Sequence, residues 1–347
     1  MNLHGKNVLV LGMGETGLSM TRWLLRKGAH VRTADSRPAP PCMDALKRIL
    51  PESRIFAGGY APEAFENISL IAISPGVPLA EQRVRQAINR GIPVAGDMEL
   101  FAWALDEKRK SREKGEHGEQ GEQSDSSSPR PRIVAVTGSN GKTTVTAMVG
   151  AMVRKAGWDA EVAGNIGPAV LDALMQRQDS GRLLPQAWIL EVSSFQLETT
   201  HNLRPDAAVV LNLSEDHFDR YAGMADYAAA KARIFLAGAE GGHDASSGVQ
   251  ILNREDPLVR EMALPGRKWM TFGLDLPPGD SDFGLMRQGE DIWLVQGKTR
   301  LMKTSELRVA GLHNTANALA ALALCRAIAL PFEPLLQALR EFRGLPH

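Results

Sequence analysis

Cysteine is nearly absent: Cys42 and Cys325 are the only two in 347 residues. One bridge at most could join them, across a very long loop, and a chain of this size can build a core without staples. Both are expected as free thiols, buried or partly exposed. An excess of charge is lacking as well, with 40 Lys and Arg against 40 Asp and Glu. Without surplus cations to neutralise phosphates, a dedicated nucleic-acid binder is excluded. No apolar run approaches the roughly 20 residues that span a bilayer. The start, Met1-Asn2-Leu3-His4-Gly5-Lys6, shows neither the cationic stretch nor the small-residue cleavage site of an export signal. The expected setting is the cytoplasm, with no membrane or nucleic-acid partner. What is present, 44% hydrophobic and 23% charged residues, is the composition of a globular chain of about two domains at roughly 150 residues each.

One stretch, Asp106–Arg132, contains no aliphatic or aromatic residue. It cannot bury enough apolar surface to offset the entropy of ordering, and it reads as a charged, flexible insertion. Before it, apolar runs Val8–Leu11, Val31–Ala34 and Leu70–Ile73 alternate with helical stretches Leu18–Arg26 and Glu81–Asn89. After it come Ile133–Val136, a helix over Lys142–Lys155, then Trp188–Leu190, Ala207–Leu211 and Val249–Leu252. Strands alternating with helices imply α/β architecture, with parallel sheets of βαβ units. Near Phe283–Val295 short alternating segments flank Arg287-Gln288-Gly289-Glu290, an antiparallel hairpin pattern, and Asn314–Ala329 is an Ala/Leu-rich helix. No internal repeat is visible.

Directly after Val8–Leu11 stands Gly12-Met13-Gly14-Glu15-Thr16-Gly17, with Asp35 closing the next strand. Glycines at this spacing let backbone N–H groups approach a pyrophosphate at a helix N-terminus, the pattern of a dinucleotide-binding fold. A second turn, Ser74-Pro75-Gly76-Val77-Pro78, follows Leu70–Ile73 at the same carboxyl edge.

Ile133–Val136 runs into Thr137-Gly138-Ser139-Asn140-Gly141-Lys142-Thr143-Thr144 and then a helix. That order places amides and a helix dipole around phosphates, with Lys142 on the β/γ oxygens and the Thr143 hydroxyl on Mg²⁺. The strict G-x-x-x-x-G-K-[ST] pattern is broken, since Val136 stands where its first glycine would be. Glu191 ends the apolar run Trp188–Leu190, where a metal-binding carboxylate belongs. The next strand leads into Asn212-Leu213-Ser214-Glu215-Asp216-His217-Phe218-Asp219-Arg220-Tyr221, and His217 there is a candidate metal or substrate ligand. Lys231 stands in a small-residue helix, Tyr227–Phe235, as a cation of no evident task. Asp282-Phe283-Gly284 spells a kinase metal motif without its companion motifs and reads as a strand edge.

The Gly138–Thr144 loop, Gly164-Asn165-Ile166-Gly167, the block Leu190–Glu198, Glu215-Asp216-His217 with Asp219-Arg220-Tyr221, and His313-Asn314 with Asn317-Ala318 together resemble the Mur ligases. The Ser193–Glu198 block with the Asp216–Tyr221 block is far more specific than either glycine loop. The resemblance implies an ATP-dependent carboxylate–amine ligase that joins D-glutamate to UDP-N-acetylmuramoyl-L-alanine in peptidoglycan synthesis, acting as a monomer. It further implies that Gly14, Glu15, Thr16, Ser36, Arg37 and Ser74 face the UDP moiety and that Asn165 contacts the substrate. Gly138, Ser139, Asn140, Gly141, Lys142, Thr143, Thr144, Asn314 and Asn317 would bind ATP. Thr143 and Glu191 would share one Mg²⁺, while His217 and Lys231, the latter as a carbamate, serve a second.

The domains implied are a Rossmann-like UDP-substrate domain over 1–96 and a central P-loop-type mononucleotide-binding α/β domain over 97–344 that contains the 106–132 insertion. Residues 345–347 would begin a hinge, and a third Rossmann-like domain is absent. Because that domain closes over ATP and binds the amino acid in the family, the residues present are expected to bind UDP-sugar and nucleotide but to ligate poorly alone. Other readings are an L-alanine-adding or folylpolyglutamate-type ligase, against which the Ser193–Glu198 block argues, an NAD(P)-dependent oxidoreductase carried by Gly12–Gly17, or a nucleotide-binding module without turnover.

Overall fold

Short aliphatic runs bounded by glycine or polar turns form the strands, and those in the middle of the sheets are buried along most or all of their length, as expected of parallel strands covered on both faces. A computed structural model describes residues 1–115, 130–216, 218–236 and 248–345. The first part runs β1 (Asn7–Leu11), α1 (Glu15–Arg26), β2 (His30–Asp35), α2 (Met43–Lys47), β3 (Ile55–Ala57), β4 (Leu70–Ile73), α3 (Gln82–Asn89), β5 (Val94–Ala95) and α4 (Asp97–Gly115). Its five strands are all parallel, in the order β3-β2-β1-β4-β5. The order reverses between β1 and β4, so the Gly12–Gly17 and Ser74–Pro78 loops meet at the switch point where open sheets take ligands.

The chain continues through β6 (Arg132–Thr137), α5 (Lys142–Lys155), β7 (Ala160–Gly164), α6 (Val170–Asp179), β8 (Ala187–Glu191), α7 (Ser194–Leu197), β9 (Ala207–Val210) and α8 (Met224–Leu236). It ends with β10 (Val249–Asn253), α9 (Pro257–Glu261), β11 (Trp269–Phe272), β12 (Phe283–Gln288), β13 (Asp291–Gln296), β14 (Thr299–Lys303), α10 (Leu312–Ala327) and α11 (Phe332–Glu341). Among the described residues the second sheet has the order β14-β13-β12-β11-β10-β9-β6-β8-β7. It is parallel from β7 to β12 and antiparallel only in the β12–β13–β14 meander, which contains the expected hairpin. β6 lies between β8 and β9, so whatever follows those two strands flanks the loop that follows β6.

Two compact units result. One comprises 1–128 with 168–183 and 198–203, and the other 129–167, 184–197 and 204–347. The first therefore includes α6, whose Asp172 and Asp179 pair with Arg22 and Arg26 of α1. The second is filled by α5, α10 and α11 against the sheet, with Ala318–Cys325 fully buried. Alanine there leaves room for the helix to approach the strands closely, while Leu319, Leu322 and Leu324 fill the remaining volume.

The charged stretch departs from expectation over its first third. Asp106–Gly115 is not a flexible insertion but the end of α4. Charge density opposes burial, not helix formation, and Glu, Lys and Arg are good helix formers. Arg109 reaches Asp106 at 3.6 Å, and Lys27 of α1 reaches Glu107 at 2.6 Å. Residues 116–129 lie outside the described residues. Both cysteines are free, Cys325 in the core and Cys42 half-buried.

Ile189 stands in β8 with no exposed surface. Replacing it by alanine is expected to lower unfolding stability by about 2–5 kcal/mol, the usual range for such a core truncation. Urea unfolding measures it, and a loss well under 1 kcal/mol would contradict the burial described.

Candidate active site

The carboxyl edge of the first sheet is built on close backbone approach. A Cβ on Gly17 would lie 1.8 Å from the Gly12 carbonyl oxygen, so only glycine lets α1 start where it does. Gly14 caps α1, with Glu15 and Thr16 in its first turn. Ser74 donates its hydroxyl to the Gly12 carbonyl at 3.3 Å, tying the two loops together. Asp35 is almost fully buried, and its oxygens accept from the Met13 N–H at 2.7 Å, the Arg37 N–H at 2.9 Å and the Arg37 guanidinium at 2.9 and 2.7 Å. Burial opposes its charge, yet the Arg37 side chain and the two amides outweigh it and bring the carboxyl down to about 2. An acid so fully engaged by its own chain is not offering itself to a ribose, which removes the chief support for the oxidoreductase reading. Ser36 is exposed beside it and bonds the Tyr60 hydroxyl. Nothing in the exposed, glycine-flanked surroundings of Tyr60 marked it in the sequence.

In the second unit, Lys142 is the first residue of α5 and folds back on the loop, donating to the carbonyls of Gly138 and Ser139, each at 2.9 Å. Lys231 of α8 donates to the same Gly138 carbonyl, also at 2.9 Å. Lys231 is only 2% exposed, and its ammonium lies 4.6 Å from the centre of the Tyr227 ring. Burial first, and the neighbouring charge of Lys142 second, push it down to about 7, so much of it is neutral near physiological pH. Burial lowers Lys142 as well, while Glu191 and Asp216 oppose the shift.

Glu191 ends β8 and is buried, and its Oε1 accepts from the Asn165 side-chain amide at 2.9 Å. The Asn165 N–H donates to the Glu191 carbonyl at 2.8 Å, so the pair is locked through both backbone and side chain. Asn317 of α10 lies against the loop: a Cβ on Gly141 would come 2.7 Å from its Oδ1. Asn314, one turn earlier, donates to the Ala310 carbonyl at 2.8 Å. Thr143 and Thr144 stand half-buried in the first turn of α5. The structure thus assembles Gly138–Thr144, Glu191, Asn165, Lys231, Asn314 and Asn317 in one unit. Gly14, Glu15, Thr16, Ser36, Arg37 and Ser74 belong to the other, and His217 lies outside the described residues.

Sequence reasoning missed Tyr227, whose hydroxyl is 3.2 Å from Ser139 Oγ and whose ring lies beneath Lys231. Its spacing of four residues from Lys231 on one helix face was the available signal. Tyr221 stacks on Phe195 with centroids 6.0 Å apart and meets Tyr227 at 5.3 Å, while Arg220 covers Phe195 at 4.4 Å. The two most distinctive sequence blocks therefore converge on the Lys231 helix.

Between about pH 7 and about 10.5 an unfolded Lys231 holds a proton that the folded one has lost, so stability rises with pH across that window. Lys231→Met keeps the bulk without the charge. The gain in unfolding temperature from about pH 7 to about pH 10 should be smaller in that variant than in the parent. An equal gain would contradict the buried, depressed amine.

Residues 136–325 match the Mur ligase middle domain, and residues 6–96 match the Mur ligase MurD-like N-terminal domain. The chain is 61% identical over 347 residues to the UDP-N-acetylmuramoylalanine–D-glutamate ligase of Nitrosospira multiformis, covering 100% of this chain and 68% of that protein. It is 58% identical to the enzyme of the same name from Nitrosomonas europaea, covering 100% and 69%. Among solved structures it is similar in fold to the UDP-N-acetylmuramate:L-alanyl-gamma-D-glutamyl-meso-diaminopimelate ligase of Neisseria meningitides, with a TM-score of 0.58 at 16% identity over 99% of this chain and 100% of that one. It is likewise similar to the UDP-N-acetylmuramate-alanine ligase MurC of Thermotoga maritima, with a TM-score of 0.53 at 19% identity over 99% and 69%. A middle-domain match over more than half of the chain, with relatives that align along all of it, makes this chain a member of the Mur ligases, a family of ATP-dependent amide-bond-forming enzymes.

Proposed function

We propose that the chain catalyses the reaction for which its relatives are named, joining D-glutamate to UDP-N-acetylmuramoyl-L-alanine at the expense of ATP in peptidoglycan synthesis. The observation that carries this is the convergence of Lys142 and Lys231 on one carbonyl, in the same unit as the Glu191–Asn165 pair. It gathers a cation for phosphate, a buried amine and a fixed carboxylate for metal around one loop.

The residues present fit Mg²⁺ and ATP. Glu191 and the Thr143 hydroxyl are hard oxygen donors, and among the described residues no group of three His, Cys, Asp or Glu converges. One or two protein oxygens completed by phosphates and water is the usual Mg²⁺ arrangement. When bound, Mg²⁺ neutralises charge on the phosphate oxygens. Lys142 leaves its loop carbonyls for the β/γ oxygens, and Glu191 keeps its orientation through Asn165, which also contacts the substrate. In the resulting step the alanyl carboxylate attacks the γ-phosphoryl group, the bond to the β-phosphate breaks with release of ADP, and an acyl phosphate forms. The amine of D-glutamate then attacks its carbonyl carbon, releasing phosphate and leaving the amide. Positioning and electrostatics supply the catalysis.

Two Mg²⁺ ions are part of the proposal, the second served by His217 and by Lys231 as a carbamate. A neutral Lys231 is the form whose nitrogen can add to CO₂ with loss of a proton, and its depressed pKa supports that role. In the first unit Gly14, Glu15, Thr16, Ser36, Arg37 and Ser74 face the UDP moiety, with Asp35 holding Arg37 in place.

Millimolar UDP-N-acetylmuramoyl-L-alanine should raise the unfolding temperature by several degrees through mass action, while NAD⁺ at equal concentration leaves it unchanged. Glu191→Gln should weaken Mg²⁺-dependent nucleotide binding about tenfold and leave the UDP-sugar shift intact. Stabilisation by NAD⁺ and not by the UDP-sugar would overturn the proposal.

A further inference from the structure

One residue, Asn212, holds the loop after β6 at three points. Asn140 donates its backbone N–H to Asn212 Oδ1 at 2.9 Å, and Asn212 Nδ2 returns a hydrogen bond to the Asn140 carbonyl at 3.2 Å. The Ser139 N–H donates to the Asn212 carbonyl at 2.9 Å. Beside this clamp the Ser214 N–H donates to Ser139 Oγ at 3.0 Å, and the Asn140 side-chain amide donates to Ser214 Oγ at 3.3 Å. The approach is close enough to dictate a residue type: a Cβ on Gly138 would lie 2.9 Å from Leu211 Cβ and 3.4 Å from the Asn212 nitrogen.

The clamp is itself anchored. Asn253, at the end of β10, donates its side-chain amide to the Leu211 carbonyl at 2.9 Å. Asp256 accepts the Leu213 N–H at 2.7 Å while its other oxygen caps α9 through the N–H groups of Leu258 and Val259. The segment that grips the loop is thus held from behind by the neighbouring strand and helix.

We infer that Asn212 is a positioning residue for the nucleotide, one that fixes the loop by taking up the N–H groups of Ser139 and Asn140 and so assigns phosphate binding to the first turn of α5. With those two amides engaged, the donors at the helix start are those of Gly141–Thr144, which precede the first N–H bonded within the helix, that of Val145 to the Gly141 carbonyl. These and Lys142 Nζ form the cradle, at the positive end of the helix dipole. Asn212 touches no phosphate. It sets where the cradle stands. The inference rests on the nucleotide assignment of Gly138–Thr144.

Hydrogen exchange of the ligand-free chain, read by mass spectrometry over the 137–141 peptide, tests the clamp without nucleotide. Titration calorimetry with ADP and Mg²⁺ tests its consequence. In Asn212→Ala the peptide should exchange at least tenfold faster and ADP should bind about tenfold more weakly, with UDP-N-acetylmuramoyl-L-alanine affinity unchanged. Asn212→Asp keeps the acceptor for the Asn140 N–H but sets a carboxylate oxygen against the Asn140 carbonyl, and it should fall between the two, giving a readout even if the alanine variant does not fold. Parent-like exchange in either variant overturns the clamp. Faster exchange with unchanged ADP affinity overturns the positioning role. If the parent itself binds no ADP while its loop is protected, the nucleotide assignment has failed, and the positioning role falls with it.

Discussion

Two ammonium groups end on one carbonyl oxygen, that of Gly138, and the second unit is organised around this constraint. Like charges this close, in a setting where Lys231 is almost wholly out of water, repel far more strongly than on a surface. Burial first and this repulsion second favour proton loss from the more buried partner, and Lys231 falls to about 7. Cation–π contact with Tyr227 offsets part of the remaining cost, and the Tyr227 hydroxyl ties that ring to Ser139 of the same loop. The central place of β6, between β8 and β9, makes the convergence possible: Glu191 arrives from one neighbour and Asn212 from the other.

Such a site suits a phosphate. Its cations are turned onto backbone carbonyls, which are weaker partners than phosphate oxygens, and its fixed carboxylate is of the type that takes a hard cation. Nucleoside triphosphate with Mg²⁺ satisfies both demands together. The first unit follows the opposite logic. There the buried acid at the end of β2, Asp35, is engaged by Met13 and Arg37, so the carboxyl edge of that sheet presents glycine backbone, hydroxyls and the half-exposed Arg37. A dinucleotide-type glycine loop can thus serve a UDP-linked substrate without an acid for the ribose, and the loop pattern alone could not have separated the two.

Local grammar was legible and distant convergence was not. The helix near Lys142–Lys155 was legible because a glycine-rich loop ending in Gly-Lys-Thr marks its start, and the structure ends that loop on a left-handed Gly141. Glu191 was placed correctly because an apolar run ending in an acid is a local signal. Lys231 was not assigned from its residues alone: its partner carbonyl is 93 positions away, and only family resemblance connected them. Strand β7, Ala-Glu-Val-Ala-Gly, escaped notice because three of its five residues are half-buried and one is acidic. The meander strand β14, Thr-Arg-Leu-Met-Lys, is mostly exposed and equally faint. The end of α4 was misread for the converse reason, since composition reports whether a segment can bury itself and not whether it can coil. Tyr60, Asn212 and Tyr227 act through contacts with loops from other strands, information that a single segment does not contain.

The central claim is that Gly138–Thr144, with Lys142, forms a phosphate cradle. Titration calorimetry of ADP with Mg²⁺ into the chain and into Lys142→Ala tests it most directly. The account predicts one nucleotide site in the parent, weakened at least tenfold in the variant, with UDP-N-acetylmuramoyl-L-alanine binding the same in both. Equal nucleotide affinity in parent and variant would contradict it.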